Sequence, residues 1–247
     1  MFAKAIVEVP IECYEPPQHL AAGRPDAGVT PAGLVSRRLF TIRAADSNGE
    51  RSSASILVKR MYEKRGYATT SLNKYDGSSR ITLIASEGEN TLGTITIGFD
   101  TPTGLLVDDL FCDEVSKLRG AGREVCEFTK PAMDNVVRSK RVLASLFHVA
   151  YLIAHRINGI HDLMIEVNPR HVLYYEKMLG FEVMGAEKLN TRVNAPAVLL
   201  CLQLSHAKEQ IAKFGGKPEF SASERSLYPY FFSAAEESGI IGRLQTP

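Results

Sequence analysis

The segment that most restricts the fold is Asp162-Leu-Met-Ile-Glu-Val-Asn168, followed at once by Pro169-Arg-His-Val-Leu-Tyr-Tyr175-Glu-Lys-Met-Leu-Gly180-Phe181. The first half is a short apolar run with β-branched residues, which predicts a buried strand rather than a helix. Pro169 then suits the first turn of a helix, where its missing N–H has no partner to lose. Leu173, Tyr174, Lys177, Met178 and Phe181 form a helical stripe, and Gly180 stands where a left-handed terminal residue is wanted. A strand running directly into a helix of about three turns requires a layered α/β domain.

The rest of the chain fits such a domain. Leu39 to Ala44 alternates as a strand, and a helix starting at Asn48 or Ser52 runs to Gly66. Ile81 to Ser86 and Thr91 to Phe99 alternate around Glu-Gly-Glu-Asn as a hairpin. A short helix capped by Asp113 and ending at Gly120, a strand from Arg123 to Thr129 and an apolar helix over 139–157 follow. Strands near 182–188 and 196–204 complete a mixed sheet flanked by helices, an α/β (α+β) fold. Residues 1–35 hold five of the twelve prolines and read as a flexible leader; residues 36–204 form the main domain. Residues 205–247, with amphipathic stretches at 208–214 and 224–244, read as a helical C-terminal extension.

Charge and cysteine usage narrow the possible functions. A formal net charge of +1 without a concentrated Lys/Arg stretch argues against a nucleic-acid binder. The longest apolar run, Val142 to Ala154, is too short for a membrane span, which needs about 20 residues. Cys13, Cys112, Cys126 and Cys201 are far apart and form no CxxC pair, so reduced thiols in a cytoplasmic protein are expected. His148, His155, His161 and His171 lack metal-ligand spacing, and no metal site is expected.

The pattern Asn168-x6-Tyr175-Glu-Lys-x-x-Gly180-Phe181 resembles the last conserved block of the GNAT N-acyltransferases. That resemblance implies that Asn168 lies near a thioester donor and that the Tyr175 hydroxyl is the general acid for the departing thiolate. Read from the residues alone, Tyr175 is equally a half-buried core tyrosine. Further blocks extend the likeness from about Phe40 onward. They include Arg60-Met-Tyr-Glu-Lys-Arg-Gly-Tyr67, Gly104-Leu-Leu-Val-Asp108, Glu127-Phe-Thr-Lys130, Arg192-Val-Asn-Ala-Pro and Leu227-Tyr-Pro-Tyr-Phe-Phe232. Taken in order, they resemble the long-chain N-acyl amino acid synthases, allied to the acyl-homoserine lactone autoinducer synthases. The resemblance implies a GNAT-like fold, an acyl carrier protein thioester as donor, a free amino acid as acceptor and no further cofactor.

One departure bears on the donor. The stretch Lys130-Pro-Ala-Met-Asp-Asn-Val-Val-Arg138-Ser-Lys140-Arg141 contains no glycine, whereas a coenzyme A pyrophosphate is usually cradled by a Gly-rich turn at a helix start. Its absence favours a donor without a nucleotide. Lys130, Arg138, Lys140 and Arg141 are then candidates to meet an acidic carrier protein, unless they are a solvated helix start.

Only a neutral amine attacks a thioester, so a base is needed. Glu127 is the first choice: it shares a strand face with Val125 and Thr129, and burial among apolar neighbours raises a carboxyl toward a useful range. It also matches the glutamate of the Glu-x-Ser/Thr-Arg/Lys pattern of autoinducer synthases, with Thr129 and Lys130. A salt bridge to Arg123 or Lys130 is the structural alternative. Glu166, on one strand face with Asn168, is the reserve. The acceptor carboxylate calls for a guanidinium, with Arg60, Arg65 and Arg192 as candidates. A backbone N–H near Phe128 is expected to hold the oxyanion. The helix bearing Leu143, Leu146, Phe147, Ala150, Tyr151 and Ile153 either walls an acyl tunnel or fills the core, and the C-terminal helices are a candidate lid. Competing readings are an autoinducer synthase using S-adenosylmethionine, a coenzyme A-dependent acetyltransferase and a non-enzymatic acyl-binding regulatory module.

Overall fold

A computed structural model describes residues 5–12, 37–67, 79–134 and 139–246. The order along the chain is β1 (Val7–Glu12), β2 (Arg37–Ala44), α1 (Asn48–Glu63), β3 (Arg80–Glu87), β4 (Asn90–Phe99), α2 (Asp108–Gly120) and β5 (Val125–Met133). Then come α3 (Lys140–Tyr151), which continues as a π-helical stretch (Leu152–Ile157), β6 (Asp162–Val167), α4 (Val172–Leu179), β7 (Glu182–Asn190) and β8 (Ala195–Gln203). The chain closes with α5 (Leu204–Phe214) and α6 (Ala234–Gln245). The strands form one eight-stranded sheet in the order β1-β2-β3-β4-β5-β6-β8-β7.

Local signals fix most boundaries. Ser47 and Glu50 form a reciprocal capping box at the start of α1, and Gly180 ends α4 in the left-handed conformation at φ 79°. The leader expectation fails at residues 7–12, which pair with β2 as an edge strand; residues 1–4 and 13–36 lie outside the described residues. α2 begins at Asp108 rather than Asp113. On α4 the buried face is Val172, Tyr175, Met178 and Leu179, whereas Leu173 and Tyr174 are 61% and 40% exposed.

The feature that positions the site is the parting of β5 from β6. This parallel pair is in register only from Val125/Asp162 to Glu127/Met164. Beyond that point β5 carries Lys130 and Pro131 opposite the single residue Ile95 of β4, a bulge between the Thr94/Ala132 and Thr96/Thr129 pairs. Lys130 adopts φ 52°, unusual for a side-chain-bearing residue and more so before proline. The extra residue bends β5 and reverses its alternation. Phe128 packs in the core under α3, while Ala132 packs against Leu57, Val58 and Met61 of α1.

The sheet is covered on both faces. Leu163, Ile165 and Phe128 belong to the large core built on α3; Val125, Met164 and Leu199 pack with Phe111 and Val115 of α2 on the other face. The C-terminal extension is part of the large core through Leu227, Tyr228, Phe231, Phe232, Ile240 and Leu244. His148 of α3 anchors it. Its ring is buried, stacks on Phe231 and Phe232 at 4.7 and 5.2 Å, pairs with Glu237 at 2.7 Å and accepts a hydrogen bond from the Phe232 N–H at 2.8 Å.

Candidate active site

Where β5 and β6 part, a cavity of about 480 Å³ opens between them. Because the gap passes through the sheet, both faces contribute to its wall. The α3 face supplies Phe128, Leu143, Phe147, Ile165 and Val167, an apolar wall closed by Tyr175 of α4. The Tyr175 ring lies edge-on to Phe147 at 6.4 Å and to Phe181 at 5.8 Å. The opposite side supplies the polar groups Arg65, Thr129, Glu166, Asn190 and Arg192, with Tyr62 beside them.

Of the predicted residues, Tyr175, Arg65, Phe128, Thr129, Lys130, Asn168 and Arg192 all line this cavity. Glu127 is not among the lining residues, and its surroundings differ from the expected apolar ones. Its carboxylate is fully buried and accepts hydrogen bonds from Arg80 Nη2 at 2.7 Å and from the backbone N–H groups of Leu106 and Val107, each at 3.0 Å. A carboxylate holding three donors pins the loop before α2. The ion-pair partner is Arg80 of β3, not Arg123 or Lys130, because the β3–β4–β5 ladder brings Gly98 opposite both Arg80 and Glu127. Gly98 is needed there: a Cβ would lie 2.9 Å from the Glu127 side chain.

Glu166 is the carboxylate that reaches the cavity. Continuing the β5–β6 register past Glu127/Met164 brings Glu166 opposite Thr129, on one face of the sheet and across the parting. Its Oε2 accepts from Arg192 Nη2 and, at 2.9 Å, from Asn190 Nδ2. Its Oε1 is buried without a partner, as is Thr129 Oγ1. Burial pushes the Glu166 carboxyl from its ordinary 4.5 up to about 7, against the opposing pull of Arg192 and with smaller contributions from Glu127 and Asp109. Burial likewise raises the Tyr175 hydroxyl to about 12 and lifts that of Tyr62 further.

The three arginine candidates separate cleanly. Arg192 donates to Glu166, to Asp109 at 2.5 Å and to the Leu106 carbonyl at 2.7 Å, which makes it a tie between the β7–β8 turn and α2. Arg60 is paired with Asp134 at 2.6 Å and lies outside the cavity wall. Arg65 lines the cavity and is exposed. Asn168 caps the turn into α4, accepting from the Arg170 N–H at 3.3 Å, and donates to the Pro196 carbonyl at 3.3 Å.

The carrier-binding candidates are also redistributed. Arg141 is turned inward, donating to the Tyr230 and Phe231 carbonyls at 2.5 and 3.3 Å with its guanidinium 5.2 Å from the Phe232 ring. It holds the C-terminal extension rather than a partner. Lys140 is exposed, 5.7 Å over the Tyr230 ring, and Arg138 lies outside the described residues. Residues of α5 and α6 are not among those that line the cavity, and Ile240 and Leu244 of α6 pack in the large core instead.

The family described as N-acyl amino acid synthase FeeM matches residues 53–203. The chain belongs to this family. The solved structure of FeeM, an N-acyl amino acid synthase from uncultured soil microbes, is 31% identical, with a TM-score of 0.64 over 70% of this chain and 95% of that one. The family makes the chain an acyltransferase. Escherichia coli ElaA shares the fold at 7% identity, with a TM-score of 0.50 over 66% of this chain and 99% of that one. A coenzyme A-dependent acyl-homoserine lactone synthase, BjaI, is 15% identical, with a TM-score of 0.45 over 64% of this chain and 76% of that one. No curated protein sequence matches the chain.

The family's region contains every residue that lines the cavity, from Tyr62 to Ala197. Within it, the blocks quoted from the sequence border the cavity, but not every side chain singled out in them does. Tyr62 and Tyr67 share the Arg60–Tyr67 block with Arg65 and line the cavity, and Arg170 donates to the Tyr67 hydroxyl at 2.8 Å. Asn190 and His171 are lining residues that no motif announced. Among the described residues, no group of three or more His, Cys, Asp or Glu side chains is placed to hold a metal ion, and no helix is long and apolar enough to cross a membrane.

Proposed function

We propose that this acyltransferase moves a long-chain acyl group from an acyl carrier protein thioester to the α-amine of a free amino acid, in the cytoplasm. The observation that carries this reading is the two-sided cavity. Its apolar wall under α3 suits an acyl chain, and its polar wall, with Arg65 and Glu166, suits a zwitterion. Arg65 is the guanidinium for the acceptor carboxylate, since Arg60 and Arg192 are engaged with Asp134 and with Glu166 and Asp109. Past Glu127 the edge of β5 that faced β6 has no strand partner, while its other edge stays paired with β4, so backbone groups on the freed edge are open to the cavity. A thioester carbonyl docked there supplies the missing acceptor, and the same N–H stabilises the oxyanion.

Tyr175 serves the leaving group. A phenol near 12 stays protonated, but full transfer to a thiolate of about 8.5 is uphill by roughly 5 kcal/mol. Its role is therefore a hydrogen bond to the departing sulfur. Thioester aminolysis balances without redox change, so no cofactor enters the scheme. The missing glycine turn before α3 supports a carrier-bound rather than nucleotide-bound donor, and the exposed Lys140, with Arg138 two residues away in sequence, offers positive charge to an acidic carrier.

The test is mass spectrometry of purified protein incubated with the twenty amino acids and either palmitoyl-charged acyl carrier protein or palmitoyl-coenzyme A. An N-palmitoyl amino acid formed faster from the carrier is the expected result. Product from coenzyme A alone would overturn the donor, and no product from either would overturn the reading.

A further inference from the structure

We propose that Glu166, rather than Glu127, takes the proton from the acceptor's ammonium group, with Thr129 Oγ1 as the second contact to that nitrogen. The inference rests on the function proposed above and names the atoms at which the amine is received.

Two buried polar atoms of the cavity wall lack partners, Glu166 Oε1 and Thr129 Oγ1. A buried polar atom without a partner calls for an explanation, and of the nine among the described residues only these two belong to side chains that line the cavity. Both residues line the same cavity, and each stands two residues beyond the last β5–β6 pair, Glu127/Met164, so the two follow the same strand face past the parting. A carboxylate oxygen that accepts and a hydroxyl that accepts or donates together match a primary ammonium, which offers three N–H groups. Glu166 is held for this by its other oxygen, clamped by Arg192 and Asn190. Glu127, by contrast, already holds three donors and does not line the cavity.

The charged and titratable groups around Glu166 come from four elements: Arg192 from the β7–β8 turn, Asp109 from α2, Glu127 from β5 and Tyr62 from α1. Burial, the largest effect, opposes the carboxylate, with Glu127 and Asp109 adding to it, and together they outweigh the pull of Arg192. The resulting value near 7 suits a base that works at neutral pH.

The step balances. The Glu166 carboxylate accepts one proton from the ammonium, and the freed nitrogen lone pair forms the C–N bond at the thioester carbonyl carbon. The C–S bond then breaks, with its electron pair remaining on sulfur. The second surplus proton leaves the nitrogen for solvent and the thiolate, hydrogen-bonded by Tyr175, takes one from solvent to become a thiol. The proton on Glu166 returns to solvent, so each turnover releases one proton.

The experiment measures kcat with palmitoyl-charged acyl carrier protein and two saturating acceptors, an amino acid and methoxyamine, whose nitrogen is already neutral at pH 7. Glu166→Gln is expected to slow the amino acid reaction by about 100-fold or more and the methoxyamine reaction by less than about tenfold. In the wild type, kcat/KM with the amino acid rises through an apparent pKa near 7, the value of the free protein, and with methoxyamine it does not. This second comparison needs no variant to fold. Equal losses with both acceptors, or an unchanged amino acid rate in Glu166→Gln, would overturn the assignment while leaving acyl transfer intact. A wild type that acylates neither amine would overturn the function and the assignment together.

Discussion

Glu127 and Glu166 lie on adjacent strands, point to the same face of the sheet and are both largely shielded from water, yet their surroundings are opposite. Glu127 sits where β5 and β6 are still paired, and three donors converge on it. Glu166 sits where the strands have parted, with one oxygen satisfied and one bare. Burial alone therefore does not make a carboxylate reactive. What distinguishes the two is how many donors reach each carboxylate: Arg80 of β3 and two amides of the loop before α2 converge on Glu127, whereas the donors to Glu166 reach one oxygen only.

The contrast predicts opposite responses to substitution. The largest effect is on stability: Glu127→Ala leaves Arg80 buried without its partner and two N–H groups without acceptors, and is expected to cost about 3–5 kcal/mol in chemical denaturation. Glu166→Gln moves the other way with pH. The folded state holds the Glu166 proton more tightly than the unfolded chain, so wild-type stability falls as pH rises from 4.5 to about 7. Glu166→Gln lacks that loss. Its stability relative to wild type is expected to improve between those pH values by at most about 3 kcal/mol, read from parallel urea melts.

Smaller effects separate the remaining side chains. Tyr175→Phe keeps the ring contacts with Phe147 and Phe181 and loses only the hydroxyl, so kcat is expected to fall about tenfold with stability nearly unchanged. Arg65→Ala is expected to raise the amino acid KM by about tenfold with little change in kcat. Arg60→Ala removes a half-exposed surface pair and is expected to change stability by less than about 1 kcal/mol and to leave KM where it was.

The elements were legible in the sequence wherever local chemistry fixed them. Pro169 and Gly180 bracket α4, and Ser47 with Glu50 starts α1, because caps act within a few residues. The face of α4 was less legible: Val172 to Leu179 is apolar on most sides, so periodicity alone did not choose between Leu173–Tyr174 and Val172–Tyr175. The strand that ends at Thr129 in the sequence reading resumes as far as Met133, and Pro131 was the overlooked sign of a bulge. Glu127 was misread because its partners, Arg80 and the Leu106 and Val107 amides, come from β3 and a loop that only the sheet order brings near. Asn168 and Tyr175 reach the cavity because one motif spaces them across the β6–α4 junction, and Thr129 does because it stands two residues after Glu127 on β5, where β6 has parted from it.

The decisive measurement is a carbon-13 NMR titration of the Glu166 side-chain carboxyl, assigned by its loss in Glu166→Gln and recorded with and without a saturating amino acid. The predicted midpoint is near 7 in the free protein. It should fall by about one unit or more once an ammonium group sits beside Oε1, because a neighbouring positive charge favours the carboxylate. A midpoint near the ordinary 4.5, or one that the amino acid does not move, would contradict the assignment of Glu166 to the acceptor's nitrogen.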